Sequence, residues 1–156
     1  MSERESGGPE VLSLPEEKEG PVKKIVWIID DNLSYARSAL SAGKTYEKEF
    51  SLIHFPTGEE AEDRFRGLIE QHDRLPDVIL MDYQLDSGAK NPKYRTGEEV
   101  IRALQKLAQE SNLALPEIIG ISGDDKFSKK LLEAGVVKTV DKLEMLELFK
   151  ELAGQK

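Results

Sequence analysis

A chain of 156 residues, 38% hydrophobic and 33% charged, is long enough for one domain with a sizeable core and has no apolar run approaching a membrane span. Its net charge of −8 argues against nucleic acid as a partner, and the absence of cysteine excludes disulfides and thiolate metal sites. Only His54 and His72 are present, which argues against a multi-histidine metal site, and MSERESGGPE lacks the apolar core of a signal peptide, so the expectation is a cytoplasmic protein with no membrane contact.

Residues 1–21 are rich in Glu, Gly, Ser and Pro and read as a disordered acidic tail, in which only Val11, Leu12 and Leu14 offer an apolar contact. The domain proper is expected over residues 22–156. From Lys23 the pattern alternates strand and helix. Ile25–Ile29 is a continuous apolar run, as in a strand buried on both faces. Leu33, Ala36 and Leu40 then recur at helical spacing. Phe50–Phe55 predicts a milder strand at an edge. Thr57 with Glu60 predicts a capping box, opening a helix with Ala61, Phe65, Leu68 and Ile69 inward. Val78–Met81 predicts a third strand.

Thr96 with Glu99 predicts a second capping box before a helix with Val100, Ile101, Leu104, Leu107 and Ala108 inside. Ile118–Ile121 predicts a fourth strand. A short helix carrying Phe127, Leu131 and Leu132 is expected to end at Gly135. Val136–Val140 predicts the fifth strand and Leu143–Leu152 the last helix. Five βα units without an internal repeat imply a doubly wound α/β domain with helices on both faces of a parallel sheet. The pattern runs out after the fifth helix, so the expectation is a chain without a DNA-binding or enzymatic output domain.

Four of the strands end on chemistry. The first leads into Asp30 and Asp31, the third into Asp82, the fourth into Ser122 with Gly123, and the fifth into Lys142. In an open parallel sheet, ligands bind in the crevice beyond the carboxyl ends of the strands. Three carboxylates, a hydroxyl and an ammonium there suit a divalent cation with a phosphoryl group. Mg²⁺ prefers oxygen ligands, a carboxylate can form an acyl phosphate, and phosphoryl transfer needs mainly positioning and charge neutralisation.

The order and spacing of these motifs resemble the receiver domain of two-component response regulators, over roughly Lys23 to Leu152. The resemblance implies a flavodoxin-like sheet of order 2-1-3-4-5, which periodicity alone leaves open. It implies that Asp82 accepts a phosphoryl group from a phosphohistidine, on a histidine kinase or a histidine phosphotransfer protein. It implies that Asp30, Asp31, Asp82 and the backbone carbonyl of Gln84 hold Mg²⁺, and that Ser122 and Lys142 contact the phosphoryl oxygens. The chain would then be a stand-alone receiver that signals to a downstream protein by contact. Beyond its own phosphorylation and dephosphorylation it would catalyse nothing.

Three departures from the pattern stand against these matches. Leu143 follows Lys142 where receivers usually carry proline. Thr139 stands three positions before Lys142, where they usually carry an aromatic switch, which puts the usual coupling to the last two helices in doubt. The connection from Asp82 to Gly97 is longer than usual, and SGAKNPKYRT within it carries Lys90, Lys93 and Arg95 without an acid. The alternative is a pseudo-receiver, the same fold acting as a binding module without phosphorylation. A haloacid-dehalogenase-type phosphatase would want an aspartate at position 84, where Gln84 stands. Blander alternatives remain for single residues. Asp31 or Asn32 fits a helix cap, Ser122 a loop serine, and Lys138 competes with Lys142.

Overall fold

The computed structural model describes residues 23–86 and 90–154, so the tail expected over residues 1–21 lies outside the described residues. Five βα units follow one another: β1 (Lys24–Ile29), α1 (Leu33–Gly43), β2 (Phe50–Phe55), α2 (Gly58–Glu70), β3 (Val78–Asp82), α3 (Gly97–Glu110), β4 (Glu117–Ser122), α4 (Asp125–Ala134), β5 (Lys138–Asp141) and α5 (Met145–Leu152). All pairings are parallel, in the order β2-β1-β3-β4-β5. The fold class and strand order are those expected. The chain winds outward from β1 to β2 and then returns to β3 on the other side of β1. That reversal opens a crevice above the β1 and β3 carboxyl ends.

The apolar runs explain why the sheet lies inside. Val26 to Ile29 and all of β3 are buried. Trp27, Ile29, Ile79 and Met81 pack with Phe65, Ile101, Leu104 and Leu131 on one face. Val26, Ile28, Leu80, Ile119 and Ile121 pack with Ala39, Leu148 and Phe149 on the other. Each large side chain buried this way contributes about 1.5–3 kcal/mol. Among the described residues, no helix is long and apolar enough to cross a membrane.

Local chemistry moves several boundaries. Gly135, at φ 111°, ends α4 in the left-handed region, and the amide of Val136 returns to the Leu131 carbonyl at 3.3 Å. That closure keeps Val136 in the helix cap, so β5 begins at Lys138 rather than Val136. The last helix begins at Met145 rather than Leu143, because Lys142–Glu144 wind as a 3₁₀ turn and Asp141 Oδ1 accepts from the Leu143 amide at 2.8 Å. Two apolar residues of the helical patterns lie outside. Leu33 is 53% exposed, since α1 buries Ala36 and Ala39 instead, and Leu132 is 48% exposed because α4 turns Leu131 and Ala134 inward. Thr96 and Glu99 form the reciprocal capping box expected of them. At Thr57 the hydroxyl caps α2 by accepting from the Glu60 amide at 3.1 Å, and it also donates to the Glu60 carboxylate at 3.1 Å.

Candidate functional site

The acidic pair is set by how β1 ends. The Asp30 amide donates to the Phe55 carbonyl at 3.2 Å, and the Asp30 carbonyl accepts from His54 Nε2 at 2.8 Å, so β2 holds this backbone on both sides. The Asp30 side chain is fully buried, with Oδ1 accepting from the Asn32 amide at 2.9 Å. Asn32 Oδ1 accepts in turn from the Tyr35 amide at 3.0 Å. Asn32 is therefore the cap of α1, and Asp31 is left to line the crevice. β3 delivers a buried Asp82, whose Oδ1 accepts from the Tyr83 amide at 2.9 Å. One ligand oxygen from each of Asp30, Asp31 and Asp82 can be chosen so that all lie within 4.8 Å of one another.

The other two predicted residues also arrive, in different states of readiness. Lys142 Nζ lies 2.9 Å from Asp30 Oδ2 and 3.4 Å from Asp82 Oδ2, bridging the two buried carboxylates. Lys138 pairs with Glu151 of α5 instead, which removes it as a competitor. Ser122 Oγ is engaged in its own loop, accepting from the Asp124 amide and donating to the Asp124 carbonyl, each at 3.0 Å. Gln84 lines the crevice, and the backbone bonds of its bridge to Thr96 run from Leu85 to Arg95 and from Gly97 to Tyr83, using neither polar group of Gln84. The resulting cavity, about 430 Å³, also takes in Gly123, Asp124 and Phe127.

Burial is the main force on these charges. It pushes the Asp82 carboxyl up to about 7, and Asp30 adds to the rise, while Lys142 and the Tyr83 amide oppose it. Burial opposes the charge on Lys142 as well, yet Asp82 and Asp30 outweigh it and hold the ammonium above the ordinary lysine range. Asp30 Oδ2 is fully buried and takes no aligned hydrogen bond; it meets only the charge of Lys142. An under-satisfied buried oxygen among three carboxylates fits a hard divalent cation, which prefers oxygen donors. Asp30, Asp31, Asp82 and the Gln84 carbonyl are the groups that would hold it.

Two contacts at the site were not legible in the sequence, those of Tyr35 and of Tyr83 with Phe127. Tyr35 donates its hydroxyl to the Lys142 carbonyl at 2.9 Å, and its ring centroid lies 4.7 Å from Lys142 Nζ. Burial, then Asp30, Asp82 and Asp141, raise its pKa, so the phenol stays protonated. Tyr83 stacks on Phe127 of α4, with centroids 4.7 Å apart, at the mouth of the cavity. Thr139, paired with Gly120, turns its methyl towards that glycine, whose missing Cβ would also meet Leu131, so no ring occupies this place.

The basic connection is partly tied down. Glu62 of α2, 5% exposed, accepts from Lys93 Nζ at 2.9 Å and from the Tyr94 hydroxyl at 2.8 Å, and pairs with Arg66 at 2.9 Å. Arg95 lies 3.6 Å from Asp86. Lys93 and Arg95 thus meet carboxylates outside the acidic trio. Burial would raise the Glu62 carboxyl, but the contacts from Lys93 and Tyr94 prevail and hold it below the ordinary range. Glu62→Gln is expected to loosen residues 90–96, seen as faster amide exchange there. In the wild type the same loosening should occur only in acid, as pH falls through the lowered pKa of Glu62. Unchanged exchange in the variant would show that the backbone bonds alone hold the segment.

No protein-family model and no curated protein matches this chain. Solved structures do. It is 22% identical to the receiver domain of the histidine kinase CKI1 from Arabidopsis thaliana, which was solved with Mg²⁺ and BeF₃⁻, over 85% of this chain and 91% of that one, with a TM-score of 0.62. It is 16% identical to a CheY-like response regulator receiver domain from Methanospirillum hungatei, over 85% and 95%, with a TM-score of 0.58. It is 27% identical to the N-terminal domain of an uncharacterized protein from Wolinella succinogenes, over 84% and 96%, with a TM-score of 0.54. The chain therefore has the fold of these receiver domains.

Proposed function

From the receiver fold, we propose that this chain takes a phosphoryl group from a phosphohistidine onto Asp82 and signals in that state by protein contact. The observation that carries the reading is the trio Asp30, Asp31 and Asp82, within 4.8 Å, with Lys142 across two of its members. The donor is a histidine kinase or a histidine phosphotransfer protein. The phosphorylatable unit is residues 22–156, with residues 1–21 as a tail. Thr139 makes α4 and α5 weaker reporters than an aromatic would.

In the reaction an Asp82 oxygen attacks phosphorus. An O–P bond forms as the N–P bond breaks, and the imidazole nitrogen keeps the electron pair and takes a proton from solvent. Lys142 turns from the carboxylates to the incoming phosphoryl oxygens. Ser122 gives up its donation to Asp124 and donates to the same group. Mg²⁺, when bound, supplies neutralisation of the charge shared between the carboxylates and the phosphoryl group. Hydrolysis reverses the modification when water attacks phosphorus and the O–P bond breaks.

Incubation with acetyl phosphate and Mg²⁺ should add one phosphoryl group, read by intact-mass spectrometry. No added mass with either acetyl phosphate or a phosphohistidine donor would leave a binding module of the same fold. Metal affinity provides an independent check. Because Asp82 is pushed up to about 7, calorimetric Mg²⁺ affinity should fall steadily between pH 8 and pH 6 as that carboxyl takes a proton. Asp31→Ala should weaken it by more than roughly tenfold. Affinity that ignores both pH and Asp31 would place the metal elsewhere.

A further inference from the structure

We propose that Tyr35 is the positioning residue for Lys142, its hydroxyl fixing the lysine backbone and its ring holding the ammonium. The inference rests on the phosphoryl-acceptor reading and adds a residue to that site. The peptide between Lys142 and Leu143 is trans. Its carbonyl accepts from the Tyr35 hydroxyl at 2.9 Å, and its N–H donates to Asp141 Oδ1 at 2.8 Å. Both polar groups of one peptide unit are therefore pinned, one from α1 and one from within the chain's own turn. The second bond exists because residue 143 is leucine and retains an N–H. The Leu143 side chain is 94% exposed and adds no packing to hold the turn.

The ring acts on the other end of the same residue. Nζ lies 4.7 Å from the Tyr35 centroid while it faces Asp30 at 2.9 Å and Asp82 at 3.4 Å. A ring face attracts an ammonium with little directional demand. It can hold the charge while the ammonium exchanges a carboxylate oxygen for a phosphoryl oxygen. Tyr35 is itself held, since its amide donates to the Asn32 cap at 3.0 Å and its side chain is half-buried against the α1–α5 side of the core. One tyrosine thus links the first turn of α1, next to the acidic pair, to the lysine at the far end of the chain.

The test is a double-mutant cycle on the rate of labelling by acetyl phosphate. Tyr35→Phe, which keeps the ring and loses the donor, should slow labelling roughly threefold. Tyr35→Leu, which loses both, should slow it roughly tenfold. In a Lys142→Met background Tyr35→Leu should add less than about twofold, because there is no ammonium left to position. A purely structural tyrosine would cost the same factor in both backgrounds, and that result overturns the inference. If Tyr35→Leu fails to fold by circular dichroism, the Tyr35→Phe cycle decides by the same criterion. If the wild type takes no phosphoryl group, the function reading fails. The cycle is then read on calorimetric Mg²⁺ affinity, where non-additivity supports the Tyr35–Lys142 link and additivity overturns it.

Discussion

Asp82→Asn is expected to take up no phosphoryl group from acetyl phosphate, and to melt higher than the wild type at pH 8. The first effect follows from chemistry, since an amide is not a nucleophile for phosphorus under these conditions. The second follows from the site's electrostatics. The folded protein holds the Asp82 proton up to about pH 7, well above an ordinary aspartate. Stability from that tighter proton binding is full below the unfolded-state pKa, and is lost as pH rises through the folded one. Above about pH 7 the ionised carboxylate is a net cost, because Asp30 stands beside it and water is largely excluded. Asparagine has nearly the same shape and no charge at any pH, and Lys142 keeps Asp30 as its partner.

Each pKa unit corresponds to about 1.4 kcal/mol, and coupling to Asp30 and Lys142 puts the gain at the low end of roughly 1–4 kcal/mol. That is several degrees in melting temperature for a domain of this size. The gap between variant and wild type should open between pH 5 and pH 8. A variant that is labelled at the native rate would sink the phosphoacceptor assignment. A variant that melts lower than the wild type at pH 8 would sink the electrostatic one.

Gly97→Ala should damage the site without touching any of its charged residues. A Cβ at Gly97 would lie 2.1 Å from the Asp82 carbonyl oxygen and 2.8 Å from Met81 Cγ. The carbonyl is backbone and cannot swing aside. Relief requires β3 and the start of α3 to separate, breaking the 2.6 Å bond from the Gly97 amide to the Tyr83 carbonyl. Overpacking of this kind costs about 1–3 kcal/mol, and here the moving part is the peptide that carries Asp82, the proposed phosphoacceptor. Labelling should slow more than roughly tenfold, as a small displacement at a reacting group does. Gly67→Ala is the control. Its Cβ would meet nothing within 4 Å inside α2, so helix propensity should raise stability by roughly 0.5–1 kcal/mol with labelling unchanged. Equal labelling by both variants would mean that the Gly97 contact is not tight in solution.

The periodicity of the chain was enough for the number and type of elements and for most of the core, because burial on both faces of a parallel sheet demands continuous apolar runs such as Val26 to Ile29. Asp30, Asp31, Asp82, Ser122 and Lys142 were legible for a related reason. A residue at the carboxyl end of a strand reaches the crevice whatever lies between the strands. What tertiary structure alone decided were contacts between elements far apart in sequence. Tyr35 and Lys142 are separated by 107 positions, and nothing periodic relates them. Glu62 on the polar side of a helix pattern became a buried anchor because Lys93 and Tyr94 return to it across 31 and 32 positions. Asn32 rather than Asp31 became the cap of α1, a choice between adjacent residues that composition cannot make. The edges of β5 and α5 moved because a left-handed glycine and an aspartate cap outweighed hydrophobic pattern, local backbone bonds being stronger constraints there than the burial of Val137 or Leu143. Sequence pattern reports which faces must be buried. Which side chains meet across the crevice is set by the docking of α1, α2 and β5 on the sheet, and only the folded chain contains that information.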